Sequence, residues 1–347
     1  MTVQLATLLS ANKKLRVTSV RQQNVKWRRQ RWKKRMVSLL AVSMILAAIP
    51  VCNPQAHAAY NITVPTQQVE VLLNARKMAF PDAKPFQDEN SAVMVPIRFI
   101  SEKLGAKVGY QQSSGKQTVT LKTDKHSVTL TVDSASAVVD GESKTYDSKI
   151  IVKQQRTYVP LRLVSEGLGQ SVDWDQVGKW VWIGSKDVPT LEELNLKKQP
   201  VSTITKYFDQ RKDSYYLNNL YEEPYKNVII LKQSDLPIKF DDGTLFDVQQ
   251  VKVDGISAIR NRSDLRNFHI AYLTKKEDYR NRSAISQLQT KNPDGTRFNY
   301  FKIDSWYDSD RLGITDATPL SPKDFNFILI KYANMDSMIL LESPWKS

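Results

Sequence analysis

The sequence predicts an α+β protein, in which a duplicated strand, helix and strand unit is followed by a second α+β domain with a mainly antiparallel sheet. Two observations lead to this prediction. Residues 95–110 return 64 positions later as residues 159–174, with eight of the sixteen residues identical. Such a repeat at a fixed offset indicates that one supersecondary unit is used twice. Beyond residue 200, runs of β-branched and aromatic residues are separated by turn-forming residues, as is typical of strands.

The first 58 residues have the three parts of a secretory signal peptide. Eleven lysines and arginines without any acidic residue precede an apolar run at residues 36–51, and Ala56-His57-Ala58 follows. We therefore expect a Sec-type signal peptide that is cleaved after Ala58, and a mature protein outside the cell or in the cell wall, without a membrane segment. The alternative is an uncleaved anchor, which the cations would orient in the same way.

The basic character of the chain belongs to this leader. Without its eleven cations, the formal net charge falls from +14 to +3. A nucleic-acid-binding protein carries its basic charge on the folded domain, so we expect no nucleic acid partner. The single cysteine, Cys52, also lies in the leader and follows Pro50-Val51, which does not fit a lipidation site.

Each unit of the repeat has the pattern of a strand, a short helix and a second strand. Pro96 and Pro160 follow β-branched runs, and a proline suits the first turn of a helix. Gly105 and Gly169 stand where a left-handed residue ends the helix. The apolar residues between them recur at helical spacing and define one buried face: Ile97, Ile100 and Leu104, then Leu161, Val164 and Leu168. We expect both helices to pack on one shared sheet.

This pattern resembles the copper amine oxidase N-terminal-like domain, or stalk domain, of exported proteins of Gram-positive bacteria. The resemblance covers about residues 69–184. It is carried by Val71-Leu72-Leu73-Asn74, Val95-Pro96-Ile97-Arg98, Leu104-Gly105, Tyr158-Val159-Pro160-Leu161-Arg162, Leu168-Gly169 and Val172-Asp173-Trp174-Asp175. The sequence departs from the family at Ala75, where glycine is usual, and at Gly109-Tyr110, where the family has Asp and Trp. The resemblance implies a fold and a location, but no ligand.

Amine oxidase chemistry is not implied, because it belongs to a different domain with three histidine ligands and a tyrosine that becomes the cofactor. Outside the leader this chain has only His126 and His269, and Asn299-Tyr300 is followed by Phe301 rather than an acid. Two isolated histidines give no metal-site spacing. We expect no metal and no cofactor.

Beyond the stalk-like domain, at residues 59–184, we predict a linker at 185–200 and a second domain at 201–347. The linker is polar and bounded by prolines. For the second domain the pattern predicts strands at 228–232, 248–253, 268–274, 298–304, 325–332 and 338–342, and helices at 201–212 and 277–288.

Trp180 and Trp182 are the candidate binding residues. Alternation along their strand points Val181 and Ile183 toward the core beside Val119 and Leu121, and therefore points both tryptophans outward. Outward tryptophans stack on sugar rings or anchor a protein partner. The alternative, which we favour, is that they pack against the linker or the second domain.

The arginines that follow Val-Pro in each unit are interpreted as structural. Arg98 stands four residues before Glu102, and Arg162 before Glu166, so a pair within each helix is expected, with a bridge from helix to sheet. A second doubled segment, Arg260-Asn261-Arg262-Ser263 and Arg280-Asn281-Arg282-Ser283, adds positive charge that is interpreted as a solvated face or a contact to anionic wall polymer.

These observations predict an exported, non-catalytic envelope protein that binds wall polymer or a surface protein, or acts as a spacer. The sequence lacks a nucleophile elbow, a zinc-protease motif and a phosphate loop. The alternative is a wall-polymer hydrolase that uses two carboxylates of the second domain as acid and base. Its candidate residues are Asp241, Asp242, Asp304, Asp308, Asp310 and Asp316.

Overall fold

The computed structural model describes residues 60–65, 69–209, 214–218, 223–266, 268–305, 307–312, 319–331 and 336–345. The predicted signal peptide and its cleavage site lie outside these residues. Tyr60–Ser347 form one compact unit. Within the described ranges, no helix is both long and apolar enough to cross a membrane.

Short antiparallel strands dominate the first half of the unit. The strands are β1 (Ile62–Thr63), β2 (Glu70–Leu73), β3 (Arg76–Lys77), β4 (Phe86–Gln87), β5 (Val93–Pro96), β6 (Lys107–Ser113), β7 (Lys116–Lys122), β8 (Ser127–Thr131), β9 (Ser136–Val139), β10 (Glu142–Thr145), β11 (Ile151–Lys153), β12 (Arg156–Pro160), β13 (Val172–Asp175) and β14 (Trp180–Ile183). The helices are α1 (Ile97–Lys103) and α2 (Leu161–Gly167). Apart from β1, the strands form sheets in the orders β10-β9-β8-β7-β6, β11-β12-β5-β4 and β13-β14-β2-β3. Only β14 and β2 run parallel among these pairs.

The two repeated segments each contain a strand, a helix and a strand. β5 pairs with β12, with Val95 opposite Val159, and both α1 and α2 pack on this strand pair. The following strands, β6 and β13, belong to different sheets. After each helix, Gly105 and Gly169 have φ angles of +73° and +79°, which confirms the left-handed helix ends. Both helices therefore pack on one shared sheet, as predicted, whereas the strands that follow them lie in two different sheets.

The core of this half follows the predicted alternation. Val181 and Ile183 are buried in the same cluster as Val119 and Leu121. Gly169 adds a steric requirement, because a Cβ at this position would lie 2.7 Å from Nε2 of His126. The helix end therefore needs glycine for its backbone conformation and for the space that the imidazole occupies.

Two larger sheets make up the second half. Its strands are β15 (Lys198–Pro200), β16 (Asn227–Leu231), β17 (Ile238–Phe240), β18 (Gly243–Val253), β19 (Ile256–Ser263), β20 (His269–Thr274), β21 (Tyr279–Arg282), β22 (Thr290–Lys291), β23 (Arg297–Lys302), β24 (Phe325–Lys331) and β25 (Ser337–Glu342), with helix α3 (Tyr307–Leu312). One sheet has the order β15-β16-β25-β24-β20-β21, and the other β1-β18-β19-β23-β22 with β17 beside β18. All pairs are antiparallel except β16 with β25.

These two sheets share a hydrophobic core. Leu245, Ile259 and Phe301 of one sheet lie in the same buried cluster as Ile270 and Leu341 of the other. Segment 185–200 joins this packing, because Leu191 is buried in that cluster and Leu194 and Leu196 lie against it. The segment thus contributes apolar side chains to the core of the second half.

Strand β1 connects the start of the described chain to the second half. Ile62 lies opposite Val253 and Thr63 opposite Lys252, at the end of β18. The backbone N–H of Asp254 donates to the carbonyl of Asn61 at 2.8 Å. The first residues of the predicted stalk-like domain, 59–184, are therefore paired with the C-terminal sheet instead.

The predicted strands of the second half agree with the structure better than its predicted helices. β16, β18, β20, β23, β24 and β25 lie where strands were expected. The helices predicted at 201–212 and 277–288 are wrong: Val201–Thr203 and Thr205–Tyr207 are short 3₁₀ turns, and β21 with a 3₁₀ turn at Ser286–Leu288 occupies the second segment. The mixed α+β class and the antiparallel sheets are present, but the second half is largely strand.

Candidate functional site

Trp180 and Trp182 are buried, and the expectation that they are exposed is wrong. Trp180 is 0% exposed and Trp182 is 5% exposed. Both rings lie in a cluster with Leu72, Ala75, Val188 and Phe246. The alternation that points them away from the core is correct, but β18 and the segment before residue 190 cover that face. The favoured alternative is correct in that both rings pack against Val188 and Phe246, which belong to the segments predicted as the linker and the second domain.

Arg262 provides polar contacts between the stalk-like half and the second half, which together form the interface around Trp180 and Trp182. Its guanidinium, 4% exposed as a residue, forms an ion pair with Asp175 at the end of β13. It also donates to Asp294 at 2.5 Å, in the turn between β22 and β23. The other oxygen of Asp175 accepts the backbone N–H groups of Val177 and Gly178 at 3.0 and 2.9 Å. The β13–β14 turn is therefore shaped to hold a carboxylate against Arg262.

A second buried ion pair crosses the same interface. Nζ of Lys77 in β3 lies 3.5 Å from Oδ1 of Asp247 in β18 and 5.0 Å from the centre of the Trp180 ring. Nε2 of Gln233 donates to the same Asp247 oxygen at 2.9 Å. Both charged side chains are less than one tenth exposed. The contact between the two halves is thus aromatic and ionic, and largely closed to water.

The doubled Arg-Asn-Arg-Ser segments do not form a solvated basic face. Arg260, Arg262, Arg280 and Arg282 are 7%, 4%, 3% and 4% exposed. The last two converge on Asp308 of α3, which accepts from Arg282 at 2.9 Å and lies 3.2 Å from Arg280. The interpretation as a surface for wall polymer is therefore wrong, because each guanidinium is buried beside polar or aromatic partners within the fold.

The carboxylates proposed for hydrolysis have varied surroundings. Asp308 is bound by the two arginines, and Asp304 accepts the backbone N–H of Leu320 at 2.6 Å. Asp241 and Asp242 are exposed at the β17–β18 turn. The side chains of Asp310 and Asp316 lie outside the described residues. No three His, Cys, Asp or Glu side chains in the described ranges are grouped as metal ligands.

A cleft in the stalk-like half is the candidate binding site, and we name it the Trp174 cleft. Its volume is about 510 Å³. Its walls are the turn between β4 and β5, the segment after β10, the first turn of α2 and the β13–β14 hairpin. The side chains that carry its chemistry are Trp174, Tyr146, Gln87, Asn90, Arg162 and Lys179.

The aromatic and charged groups of this cleft are held by local contacts. Nε1 of Trp174 donates to Oε1 of Gln176 at 2.7 Å, and Nζ of Lys179 lies 5.9 Å from the centre of the Trp174 ring. Nε of Arg162 lies 3.6 Å from Glu166 on its own helix. Burial raises the pKa of the Tyr146 hydroxyl, and the Glu166 carboxylate adds to this rise. Tyr146 therefore stays a neutral hydrogen-bonding group over the physiological pH range.

The repeated motif contributes only part of this cleft. Pro160 and Arg162 line the cleft, but Arg98 does not. Both arginines have exposed side chains on their helices. The predicted pair within the helix is confirmed for Arg162, but its guanidinium faces solvent, contrary to the expected bridge to the sheet. Sequence reasoning missed Tyr146 and Asn90, because they come from loops, and Gln87, because it lies in a strand of only two residues. Trp174 lies inside the family motif, and it was the residue whose position in the sequence could have indicated the cleft.

A second groove, of about 1000 Å³, lies on the other side of the same hairpin. Trp174 and Gln176 line both cavities and so separate them. The groove also contains Phe246, Lys239 and Asp264. Its charged lining has more carboxylates than cations: Asp175, Asp187, Glu193, Asp264 and Asp294 against Lys186, Lys239 and Arg262.

Comparison with known proteins supports one part of the chain. No curated protein matches it. Residues 72–183, which contain both repeated segments, the Asp175 turn and all the lining residues of the Trp174 cleft, match the sequence model of the Copper amine oxidase N-terminal domain. This match confirms, for that third of the chain, the resemblance that the sequence pattern indicated.

Proposed function

We propose that the protein is an exported, non-catalytic component of the cell envelope, whose stalk-like half binds a wall polymer in the Trp174 cleft while the second half holds that cleft on a rigid support. The export part of this proposal rests on the leader pattern at residues 1–58. The binding part rests on the cleft, and the support part on the interface between the halves.

The observation that carries the proposal is the composition of the cleft. An indole and a phenol share a cavity of about 510 Å³ with two side-chain amides from the β4–β5 region, Gln87 and Asn90. Flat aromatic faces pack against the C–H surfaces of sugar rings, and amides both donate and accept hydrogen bonds, as sugar hydroxyls require. A wall glycan fits this combination better than a purely apolar ligand does.

The interface supports a rigid arrangement rather than two independently moving halves. Trp180, Trp182 and Phe246 are packed together, and two ion pairs with little exposure, Arg262 with Asp175 and Lys77 with Asp247, cross the same contact. Moving the halves apart would expose the aromatic surface and leave buried charges without partners, which is costly. This packing supports the proposed role of the second half as a support of fixed geometry.

We also infer that the stalk-like half arose by duplication of one strand, helix and strand unit. The 64-residue offset, the proline before each helix and the left-handed glycine after each helix support this origin. The two copies differ at the ligand-facing position, where Tyr110 of the first unit corresponds to Trp174 of the second. This difference is consistent with a binding role for only one copy.

The test is sedimentation of the purified protein with isolated Gram-positive cell walls. We expect the native protein to sediment with the walls and Trp174→Ala to lose at least about tenfold in affinity, as truncation of an aromatic anchor commonly does. Tyr110→Ala is the matched control, because Tyr110 occupies the corresponding position in the first unit and is 49% exposed. Every variant is recovered in the same exported form, so its amino terminus contributes equally.

Two results would contradict the proposal. One is a native protein that remains in the supernatant at all wall concentrations. The other is equal sedimentation of native protein and Trp174→Ala, when thermal unfolding shows that both are folded. Release of soluble sugar fragments from the walls by the native protein would contradict the non-catalytic part.

A further inference from the structure

We infer that the ligand of the Trp174 cleft is an anionic saccharide, in which a sugar ring contacts the aromatic wall and its negative group lies between Arg162 and Lys179. This inference rests on the proposed function and adds the chemical class of the ligand. Three properties of the cleft support it: its charge, the state of its two cations, and the contrast with the neighbouring groove.

The lining of the cleft has a positive balance. Its charged side chains are Arg162 and Lys179 against Asp147 alone. Asp147 belongs to the segment whose backbone carbonyl accepts the Asn90 side-chain amide at 2.9 Å, so this segment is fixed to the β4–β5 turn. Cations beside low-dielectric aromatic walls attract an anionic group more strongly than cations on an open surface.

Neither cation is strongly engaged within the protein. The Arg162 to Glu166 distance is 3.6 Å, and the two side chains are 64% and 48% exposed. An exposed ion pair of this kind contributes little, so it competes weakly with a ligand. Within the part of the chain that the structure describes, Lys179 has no salt-bridge partner, and its ammonium lies beside the Trp174 ring. Both groups are therefore available to an anion that enters the cleft.

The backbone at Lys179 places this residue at the edge of the cleft. Lys179 has a φ angle of +56°, a left-handed conformation in the tight β13–β14 turn. That turn is stabilised by the Asp175 carboxylate, which accepts hydrogen bonds from the N–H groups of Val177 and Gly178. The backbone of Lys179 is thus held by the same turn that contacts Arg262, and its flexible side chain reaches to within 5.9 Å of the centre of the Trp174 ring.

The groove on the other side of the hairpin has the opposite charge balance. Five carboxylates against three cations line it, and one of those cations, Arg262, is already paired with Asp175 and Asp294. An anionic polymer that contacts the Trp174 ridge is therefore favoured on the Arg162 side and disfavoured on the groove side. The charge contrast between the two cavities therefore predicts that the anionic ligand binds in the Trp174 cleft and not in the groove.

Carboxylated sugars and phosphorylated sugars share the required chemistry, and defined polymers separate them. The experiment measures binding of the purified protein to polygalacturonate, to phosphorylated dextran and to neutral dextran, at low and high salt. We expect binding to at least one anionic polymer to exceed dextran binding by at least about tenfold, and to weaken as salt screens the charges. The anionic polymer that binds identifies the source of the negative group.

Paired variants assign the effect to the cleft. Arg162→Gln and Lys179→Gln should each weaken anionic binding by about fivefold and flatten its salt dependence. Arg98→Gln is the matched control, since Arg98 is the exposed arginine at the corresponding position of the first unit, and it should bind like the native protein. The conservative variant Arg162→Lys should restore most of the binding.

The possible outcomes separate this inference from the proposed function. Equal binding of dextran and both anionic polymers, with wall sedimentation intact, would overturn the anionic class and leave the wall-binding proposal standing. Loss of anionic binding in Arg98→Gln as large as that in Arg162→Gln would also overturn it. Absence of wall sedimentation by the native protein would remove the proposed function itself.

Discussion

The guanidinium of Arg262 and the carboxylate of Asp175 form a nearly buried ion pair that joins β19 of the C-terminal sheet to the β13–β14 hairpin of the stalk-like half. The pair matters because Asp175 has two tasks. One oxygen binds Arg262, and the other accepts the backbone N–H groups that shape the turn. The turn that carries Trp174 and Lys179 on its flanks is therefore coupled to the second half of the molecule.

Arg262→Leu should reduce the free energy of unfolding by about 3 kcal/mol, because it leaves the buried Asp175 carboxylate without its partner. Urea unfolding measures the change. Lys186→Leu is the matched control: Lys186 pairs with Asp173 of the same hairpin, but both side chains are more than half exposed. Its cost should stay below about 1 kcal/mol. Equal costs for the two variants would contradict the interfacial role of Arg262.

Gly178→Ala should destabilise the same contact for a steric reason. A Cβ at residue 178 would overlap Nη1 of Arg262 and would lie 2.9 Å from Oδ2 of Asp175. We expect a loss of about 1 to 3 kcal/mol in the free energy of unfolding, the usual cost of overpacking a close contact. Gly109→Ala is the control, because the nearest atom to its Cβ would be the Thr120 carbonyl oxygen at 3.9 Å. A Gly178→Ala protein as stable as Gly109→Ala would be inconsistent with this geometry.

Trp180→Ala should act on stability before it acts on any ligand. Trp180 is 0% exposed and packs against Trp182 and Phe246, with ring centres 5.9 and 6.4 Å away. Truncation of a buried tryptophan costs about 3 to 5 kcal/mol. Thermal unfolding should therefore show a large decrease for Trp180→Ala and little change for Tyr110→Ala. An unchanged melting temperature for Trp180→Ala would show that the ring is not an interfacial core residue.

Local sequence patterns were sufficient for the features that depend on neighbouring residues. Val-Pro before α1 and α2, glycine after them, and the alternation that buries Val181 and Ile183 all follow from local rules. The coverage of Trp180 and Trp182 does not, because Phe246 lies more than sixty residues further along the chain. Alternation tells which face a side chain occupies, but not which distant segment covers that face.

The errors in the second half have the same cause. Arg280-Asn281-Arg282 has a polar composition that does not resemble a buried strand, yet it forms most of β21. The strand tolerates this composition because Asp308, 26 residues beyond Arg282, and the carbonyl of Ile303 accept its guanidinium hydrogen bonds. The Trp174 cleft was only partly predictable for a similar reason: its loop residues, such as Tyr146, have no pattern of their own.

Export makes a prediction about the amino terminus. The cationic stretch, the apolar run and Ala56-His57-Ala58 predict that protein recovered from culture medium or cell walls begins at Ala59. A start at Ala59 would keep β1, which pairs with β18 from Ile62 onward. Amino-terminal sequencing or mass spectrometry of the recovered protein checks this start. A sequence that still contains residues 36–51 would instead support the uncleaved anchor.

The buried ion network around α3 predicts a loss of stability in acid. Asp278 lies beside Arg280, which in turn contacts Asp308. Burial raises the pKa of Asp278, but hydrogen bonds from Arg280 and Thr274 outweigh burial, and the pKa lies below its ordinary value. The stabilisation by this carboxylate is therefore complete above the unfolded pKa of about 3.9, and it is lost as the pH falls through the lower folded pKa.

Asp278→Asn tests this pH dependence directly. At neutral pH the variant should be less stable than the native protein, because asparagine cannot supply the charge that Arg280 and Lys276 stabilise. Below about pH 4 the Asp278 carboxylate takes up a proton in the unfolded chain before it does so in the folded protein, so the difference in free energy of unfolding should shrink. Urea unfolding of both proteins from about pH 3 to about pH 7 measures that difference. A difference that stays constant over this range, or widens toward acid, would mean that Asp278 does not contribute through its ionised form.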